Sequence, residues 1–120
     1  MKVLIVDDEP MVRCVLGYAL SRDGWEVFDH DQFADCPALI REHDIDALIS
    51  DYLMAGMTGL DIIENVRDAG INIPILILSG NPHAIDRQRA KHLGVREIIS
   101  KPPDLKKLCL TLSRAVDAGT

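Results

Sequence analysis

Three acidic residues directly follow the first apolar run of the chain. In the opening stretch MKVLIVDDEP, the run Val3–Val6 leads into Asp7, Asp8 and Glu9. Two like charges about 4 Å apart repel by roughly 4 kcal/mol at an effective dielectric near 20, so such a cluster needs a counter-charge. Oxygen ligands without His or Cys favour a hard divalent cation. The stretch therefore predicts a cation site, with Mg²⁺ as the expected ion, at the end of a buried strand.

Three further apolar runs also end in residues that could do chemistry: Asp51 follows ALIS, Ser79 follows ILIL and Lys101 follows EIIS. The carboxyl ends of parallel strands share one edge, so these side chains should meet Asp7 and Asp8 there. Asp51, in the middle of the set, is the predicted nucleophile, because no Cys or Ser–His pair falls on this edge and carboxylates accept phosphoryl groups. Lys101 would supply a positive charge and Ser79 a hydrogen bond to the phosphoryl oxygens. The set predicts Mg²⁺-assisted phosphoryl transfer.

The regular spacing of apolar segments along the sequence indicates five β-α units. Strand-like runs cover residues 3–6, 25–28, 47–49, 75–78 and 95–99, with helix-period segments between them. Alternating strands and helices form a parallel sheet with helices on both faces. The first, third and fourth runs are the most continuously apolar and should be central, whereas Glu26, Arg96 and Glu97 mark the second and fifth as edges. The predicted fold is α/β, a flavodoxin-like doubly wound (βα)5 sheet of order 2-1-3-4-5.

The fourth helical segment, residues 82–93, has the poorest apolar pattern. Only Ala84, Ile85, Ala90 and Leu93 are available for burial. Pro82 suits a first helical position and Asn81, just before it, suits an N-cap. We therefore predict a weakly held helix.

Composition narrows the class of protein. A chain of 120 residues, 48% apolar and 27% charged, predicts a single domain over residues 1–120. The net charge of −6 argues against direct binding of nucleic acid. Three cysteines without metal-like spacing indicate reduced thiols, the opening apolar run is too short for a signal peptide, and no stretch approaches a membrane span. These features predict a cytoplasmic protein.

Along its whole length the sequence resembles the receiver domain of response regulators in two-component signalling. The matching positions are the acid pair Asp7-Asp8, the segment DYLMAGMTG from Asp51 to Gly59, Ser79 and the pair Lys101-Pro102. The resemblance implies that Asp51 takes a phosphoryl group from a histidine kinase or phosphotransfer protein. The result would be altered binding of a downstream protein partner or of the chain's own output domain. Such a domain is a signalling phosphoacceptor that assists its own phosphorylation and dephosphorylation, not an enzyme in the usual sense.

The resemblance also implies a ligand set and a peptide geometry. Asp8 would bind Mg²⁺ directly and Asp7 largely through water. Asp51 and the backbone carbonyl of Leu53 would complete the protein ligands. The Lys101–Pro102 bond is expected to be cis, an uncommon state even before proline.

Two positions depart from the family pattern. Ala55 stands where Pro usually follows Met in the phosphoacceptor loop, which should loosen that loop. Ile98 stands three residues before the Lys, where the family has Tyr or Phe. In the family this aromatic swings inward when the Ser/Thr, here Ser79, moves toward the phosphate. Because Ile98 has neither ring nor hydroxyl, we expect the output to be carried by residues 80–94 instead.

Other classes of protein could share this fold. An FMN binder of this fold would need a phosphate-binding loop after the first strand, where the acids would repel the phosphate. An aspartate-nucleophile phosphatase would resemble D-x-D, which Asp51-Tyr52-Leu53 does not supply. A phosphate-independent receiver-like adaptor stays open.

Basic side chains concentrate in the second half of the chain. Residues 1–60 carry a net charge of −8 and residues 61–120 a net charge of +2. The last two helices and the fifth strand form the predicted partner or dimer surface, with the basic residues Arg87, Arg89, Lys91, Arg96, Lys106 and Lys107.

Overall fold

Five parallel strands form one sheet in the computed structural model, which describes residues 1–32, 35–54 and 56–119. Two shorter strands form an antiparallel hairpin. The strands are β1 (Lys2–Val6), β2 (Glu26–His30), β3 (Ala47–Asp51), β4 (Leu53–Met54), β5 (Met57–Thr58), β6 (Ile75–Ser79) and β7 (Val95–Ser100). The order of the large sheet is β2-β1-β3-β6-β7. The predicted 2-1-3-4-5 order is confirmed, because the hairpin strands β4 and β5 only shift the numbering.

The helices cover both faces of the sheet. They are α1 (Pro10–Arg22), α2 (Cys36–Glu42), α3 (Gly59–Asp68), α4 (Arg87–His92) and α5 (Leu105–Gly119). On one face Ile5 shares a core with Leu16 of α1 and Leu112 of α5. On the other face Leu4 shares a core with Ile63 of α3, and α2 and α4 contribute to the same cluster. Successive strand residues thus pack against different helix layers, as the period of two requires.

The central strands are the most buried ones. All five residues of β3 and of β6 are buried, as are four of the five in β1. The edge strands β2 and β7 contain only exposed and half-buried residues. The prediction of central and edge strands is therefore confirmed. No helix in the described part of the chain is both long and apolar enough to cross a membrane.

The predicted helix at residues 82–93 is wrong at its start. Residues Pro82–Ala84 form a single 3₁₀ turn, and the backbone is extended at Ile85, whose side chain is buried. The α-helix begins only at Arg87, where the Asp86 side chain caps it by accepting a hydrogen bond of 3.0 Å from the Arg89 backbone N–H. The side chain of Asn81 forms no cap. Because Ile85 enters the core from an extended backbone, the segment cannot continue as one helix.

Candidate functional site

Four carboxylates gather at the carboxyl ends of β1 and β3. Each of Asp7, Asp8, Glu9 and Asp51 places one oxygen within 4.8 Å of the others'. Asp7 is fully buried and Asp51 nearly so, whereas Asp8 and Glu9 are exposed. The topology explains why these carboxylates lie close together. Strand β1 pairs with β3 in parallel, Val3–Val6 against Ala47–Ser50, so both strands end at the same edge of the sheet.

Lys101 reaches into this group from the end of β7. Its Nζ lies 3.0 Å from Asp7 Oδ2, 3.2 Å from Asp51 Oδ1 and 3.0 Å from Glu9 Oε1. The Lys101 backbone N–H donates a 2.9 Å hydrogen bond to the carbonyl of Ser79, which ties the end of β7 to the end of β6. The Lys101–Pro102 peptide bond is cis. The structure thus brings together the acids and the lysine that the strand ends predict.

Burial, the neighbouring carboxylates and the Lys101 ammonium group set the electrostatics of the site. Burial raises the pKa of Asp51, the charge of Asp7 raises it further, and Lys101 only partly opposes both. Burial alone would lower the pKa of Lys101, but the carboxylates of Asp7, Glu9 and Asp51 outweigh it, so the net pKa is raised. Lys101 therefore stays charged, and the pKa of Asp51 stays above its ordinary value despite this cation.

The donor set fits a hard divalent cation. Within the described residues Asp7 Oδ2 is buried and receives no hydrogen bond of acceptable geometry, although Lys101 Nζ lies beside it. The other oxygens of the group belong to Asp8, Glu9 and Asp51, with no nitrogen or sulfur ligand among them. Carboxylate oxygens alone suit Mg²⁺ or Ca²⁺. The edge of the sheet that carries Asp7, Asp8, Glu9 and Asp51, here the acidic edge, could therefore hold such an ion.

Ser79 lies beside Asp51 on the neighbouring strand. Asp51 pairs with Leu78 in the β3–β6 register, so Ser79 is one residue further toward the acidic edge. Its side chain is buried, and its Oγ accepts a 3.0 Å hydrogen bond from the Asn81 backbone N–H. To bind another group, the Ser79 hydroxyl would donate its own proton in a hydrogen bond, or it would give up the hydrogen bond that it accepts from Asn81.

Gly59 makes the tight loop after Asp51 possible. A Cβ on Gly59 would lie 2.5 Å from the Asp51 carbonyl oxygen, closer than side-chain atoms approach. The Gly59 backbone N–H donates a hydrogen bond to the Tyr52 carbonyl, and Ser50 Oγ donates one of 2.9 Å to the Asp51 carbonyl. Sequence reasoning placed Gly59 in the matching segment but gave it no role. Its only local signal is its place directly after Thr58, as the first residue of α3.

Arg13 is a second supporting residue that sequence reasoning missed. Its Nη1 donates a 2.7 Å hydrogen bond to the Asp7 carbonyl, and its Nε lies 3.4 Å from Asp29 Oδ2 at the end of β2. The arginine thus links the acidic turn, formed by residues 7–9, to the edge strand β2. Its only sequence signal is its place in the first turn of α1, soon after the acids.

The remaining predicted positions lie around this centre. Leu53 is on the hairpin, paired with Thr58, and its side chain is exposed. Ile98 is half-buried on β7, pairs with Ile77 and packs against the core beneath α3 and α4. Ala55 lies outside the described residues, and so does the prediction of a looser loop there.

The predicted basic surface is less uniform than the sequence suggests. Arg89 does not project freely from α4, since its Nη2 lies 2.9 Å from Asp61 Oδ1 and 3.0 Å from Glu64 Oε2 on α3. Arg87 Nη2 donates a 3.4 Å hydrogen bond to the Pro82 carbonyl. Part of the positive charge is therefore used within the domain.

Comparisons with known proteins agree with this geometry. Residues 3–113 match the protein-family model described as "Response regulator receiver domain". The chain belongs to this family, the receiver domains of two-component systems.

Its relatives include regulators of different processes. It is 27% identical over 110 residues, 92% of the chain, to the probable transcriptional regulatory protein TcrX of Mycobacterium tuberculosis, of which it covers 47%. It is 28% identical over 122 residues, 98% of the chain, to the aerobic respiration control protein ArcA of Escherichia coli, of which it covers 51%. The chain thus spans about half the length of these relatives. The solved structure of Vibrio cholerae chemotaxis protein CheY4 has a TM-score of 0.85 and 30% identity, covering 95% of this chain and 97% of that one.

Proposed function

We propose that Asp51 accepts a phosphoryl group and that the phosphorylated domain changes its binding of a protein partner. The observation that carries the proposal is the triple contact of Lys101 with Asp7, Asp51 and Glu9 at the end of the sheet. In this contact the Asp51 carboxylate, the Lys101 ammonium group and the acidic residues that could hold a metal ion lie within a few ångströms of one another. Phosphoryl transfer needs mainly this positioning and charge neutralisation.

The residues of this chain have distinct roles in the proposed reaction. An oxygen of Asp51 attacks the phosphorus atom, an Asp51–phosphoryl bond forms, and the donor leaves with the electrons of its broken bond to phosphorus. The environment that raises the pKa of Asp51 also makes its carboxylate more basic, which favours attack. Lys101 neutralises the phosphoryl oxygens, and Ser79 offers its hydroxyl to one of them.

We further propose that Mg²⁺ is the resident ion. Asp8 and Asp51 would hold it directly, Asp7 largely through water, and the Leu53 carbonyl from the hairpin side. When bound, the ion would draw charge from the phosphoryl oxygens. Support comes from the all-oxygen donor set and from the buried Asp7 Oδ2 that lacks a directed hydrogen bond.

Membership of the receiver family suggests the partners. The phosphoryl donor would be a histidine kinase or a phosphotransfer protein, and the readout would be a downstream protein or an output domain. The surface formed by α4, β7 and α5 is the proposed partner or dimer face. We propose that residues 1–120 act as one receiver domain in the cytoplasm, where kinases have ATP as the source of the phosphoryl group.

The test is the intact mass of the protein after incubation with acetyl phosphate, with and without Mg²⁺. We expect the gain of one phosphoryl group only with Mg²⁺, and none in Asp51→Asn. Failure of the wild-type protein to gain mass while it binds Mg²⁺ would refute the proposal and favour the phosphate-independent adaptor.

A further inference from the structure

Glu9, the third acid of the opening stretch, contacts the cation of the site. Its Oε1 accepts a 3.0 Å hydrogen bond from Lys101 Nζ across 92 positions of sequence. The side chain of Glu9 is 59% exposed, whereas that of Lys101 is 15% exposed. The two other carboxylates on Lys101, those of Asp7 and Asp51, are buried. Glu9 therefore approaches the ammonium group from the solvent side.

The backbone of Glu9 is fixed while its side chain extends from it. Its N–H donates a 2.9 Å hydrogen bond to Asp7 Oδ1, and its carbonyl accepts a 3.2 Å hydrogen bond from the Arg13 N–H at the start of α1. Rotation of the side chain alone would release Lys101. Neither the acidic turn nor α1 would need to move.

The contact with Glu9 occupies one of the three N–H donors of Lys101. An ammonium group has three N–H donors, and the structure places three carboxylates around it. A phosphoryl group on Asp51 would add oxygens that also need this cation. Asp7 is buried and Asp51 carries the phosphoryl group, so Glu9 is the partner whose departure requires the least rearrangement.

We propose that Glu9 is a positioning residue that holds Lys101 at the open side of the site and competes with the phosphoryl group for its ammonium. The inference rests on the proposed function of Asp51. Glu9 would slow phosphorylation by small anionic donors in two ways, because it occupies Lys101 and repels the donor's charge.

The first measurement is the initial rate of phosphorylation by acetyl phosphate at saturating Mg²⁺. We expect Glu9→Gln, which keeps the shape and removes the charge, to raise this rate by about threefold to tenfold, the size of one partly screened charge interaction. Glu42→Gln, at the exposed C-terminal end of α2, removes the same charge away from the site. It should leave the rate unchanged.

The second measurement is independent of phosphorylation. Without Mg²⁺ or donor, Lys101 is acylated with an N-hydroxysuccinimidyl acetate reagent, and the modified peptide is quantified by mass spectrometry. Loss of the Glu9 charge weakens the contact that covers the amine on its solvent side, so the reagent reaches Lys101 Nζ more often. We expect acylation of Lys101 to be about threefold faster in Glu9→Gln, and unchanged in Glu42→Gln.

Each contrary outcome has a definite meaning. Unchanged acylation in Glu9→Gln would overturn the inference, as would a rate of phosphorylation that stays the same or falls. If calorimetry shows that Glu9→Gln weakens Mg²⁺ binding tenfold or more, Glu9 is a metal ligand and the inference is also overturned. If wild-type protein takes up no phosphoryl group, the proposed function fails separately, and the acylation result alone decides whether Glu9 holds Lys101.

Discussion

Helices α3 and α4 cover the same face of the sheet but are attached in different ways. Five of the ten residues of α3 are buried, whereas in the six residues of α4 only Ala90 is. Apolar burial holds α3, together with Gly59 at its start, close against the carbonyl of Asp51. Polar links hold much of α4: Arg89 reaches Asp61 and Glu64 of α3. The difference indicates that α3 is anchored mainly by apolar burial, whereas α4 depends more on polar contacts.

A second arginine links the same two helices in the opposite direction. From the end of α3, Arg67 Nε donates a 2.7 Å hydrogen bond to the carbonyl of Leu93, and its Nη2 donates one of 3.4 Å to that of Gly94. Its Nη1 donates to the carbonyls of Ile71 and Ile73 at 3.0 and 2.9 Å. Burial lowers the pKa of Arg67, and nearby Arg96 adds to the effect. Arg67 therefore fixes the C-terminal end of α4, and freedom should be greatest at residues 80–90.

The largest effect is expected from the core beneath α3. Ile63→Ala should reduce the free energy of unfolding by about 2–5 kcal/mol, because a fully buried side chain is removed and a cavity remains. Urea denaturation measures this change. Leu53→Ala, at an exposed position of the hairpin, should stay within about 0.5 kcal/mol. Equal losses in the two variants would contradict the assignment of α3 as the anchored helix.

A smaller effect is expected from Arg67. Arg67→Ala should reduce the free energy of unfolding by about 1–3 kcal/mol, because carbonyls at the end of α4 and in the loop after α3 lose a charged donor. Arg67→Lys keeps the charge but cannot reproduce the planar fork, and should lose an intermediate amount. Hydrogen exchange should locate the lost protection at residues 93–95. An unchanged free energy of unfolding in Arg67→Ala would show that the contacts do not fix α4.

Asp51 should have a stability effect of opposite sign. Its pKa in the folded protein is raised above the ordinary value of 3.8, so its ionisation disfavours folding. Without Mg²⁺, Asp51→Asn should therefore increase the free energy of unfolding near neutral pH.

The pH dependence of this gain follows from the raised pKa. Below pH 3.8 the carboxyl is protonated in both the folded and the unfolded chain, and the difference between wild type and Asp51→Asn should vanish. As pH rises from 3.8 through the raised folded-state pKa, the wild type loses stability relative to Asp51→Asn, and the difference then levels off. Urea denaturation at several pH values in chelator measures both limits. A variant that is less stable than wild type at neutral pH would contradict this account.

The smallest global effect is expected from Arg89. The side chains of this link are exposed, so Arg89→Ala should leave the free energy of unfolding unchanged within error while hydrogen exchange of α4 becomes faster. Arg89→Lys should retain part of the protection. If exchange in α4 does not change, its polar attachment is not what holds it.

Hydrogen exchange also tests whether residues 80–94 carry the output. Phosphorylation of Asp51 should change hydrogen-exchange protection across residues 80–94, because Ile98 supplies no aromatic ring to move. Similar protection with and without the phosphoryl group would refute a role for this segment. The Ser79–Asn81 hydrogen bond, which a rearranged hydroxyl would break, gives a local reporter at its first residues.

Most of the site could be predicted from strand ends. The runs that precede Asp7, Asp51, Ser79 and Lys101 are apolar enough to specify buried parallel strands, and such strands finish at one edge. The predicted positions therefore converge without knowledge of any helix. The start of α4 could not be predicted in this way, because a proline after an N-cap residue favours a helix at Pro82 while burial of Ile85 interrupts it.

What the sequence by itself determined is the order of the strands and the identity of the charges at their ends, since both follow from local apolar patterns. Only the tertiary structure decided how those charges are shared. The contact of Glu9 with Lys101, the carbonyls bound by Arg67 and the close approach of Gly59 to Asp51 each depend on ångström-scale distances between separate elements. Those distances are set by the packing of helices on the sheet, which no local pattern encodes.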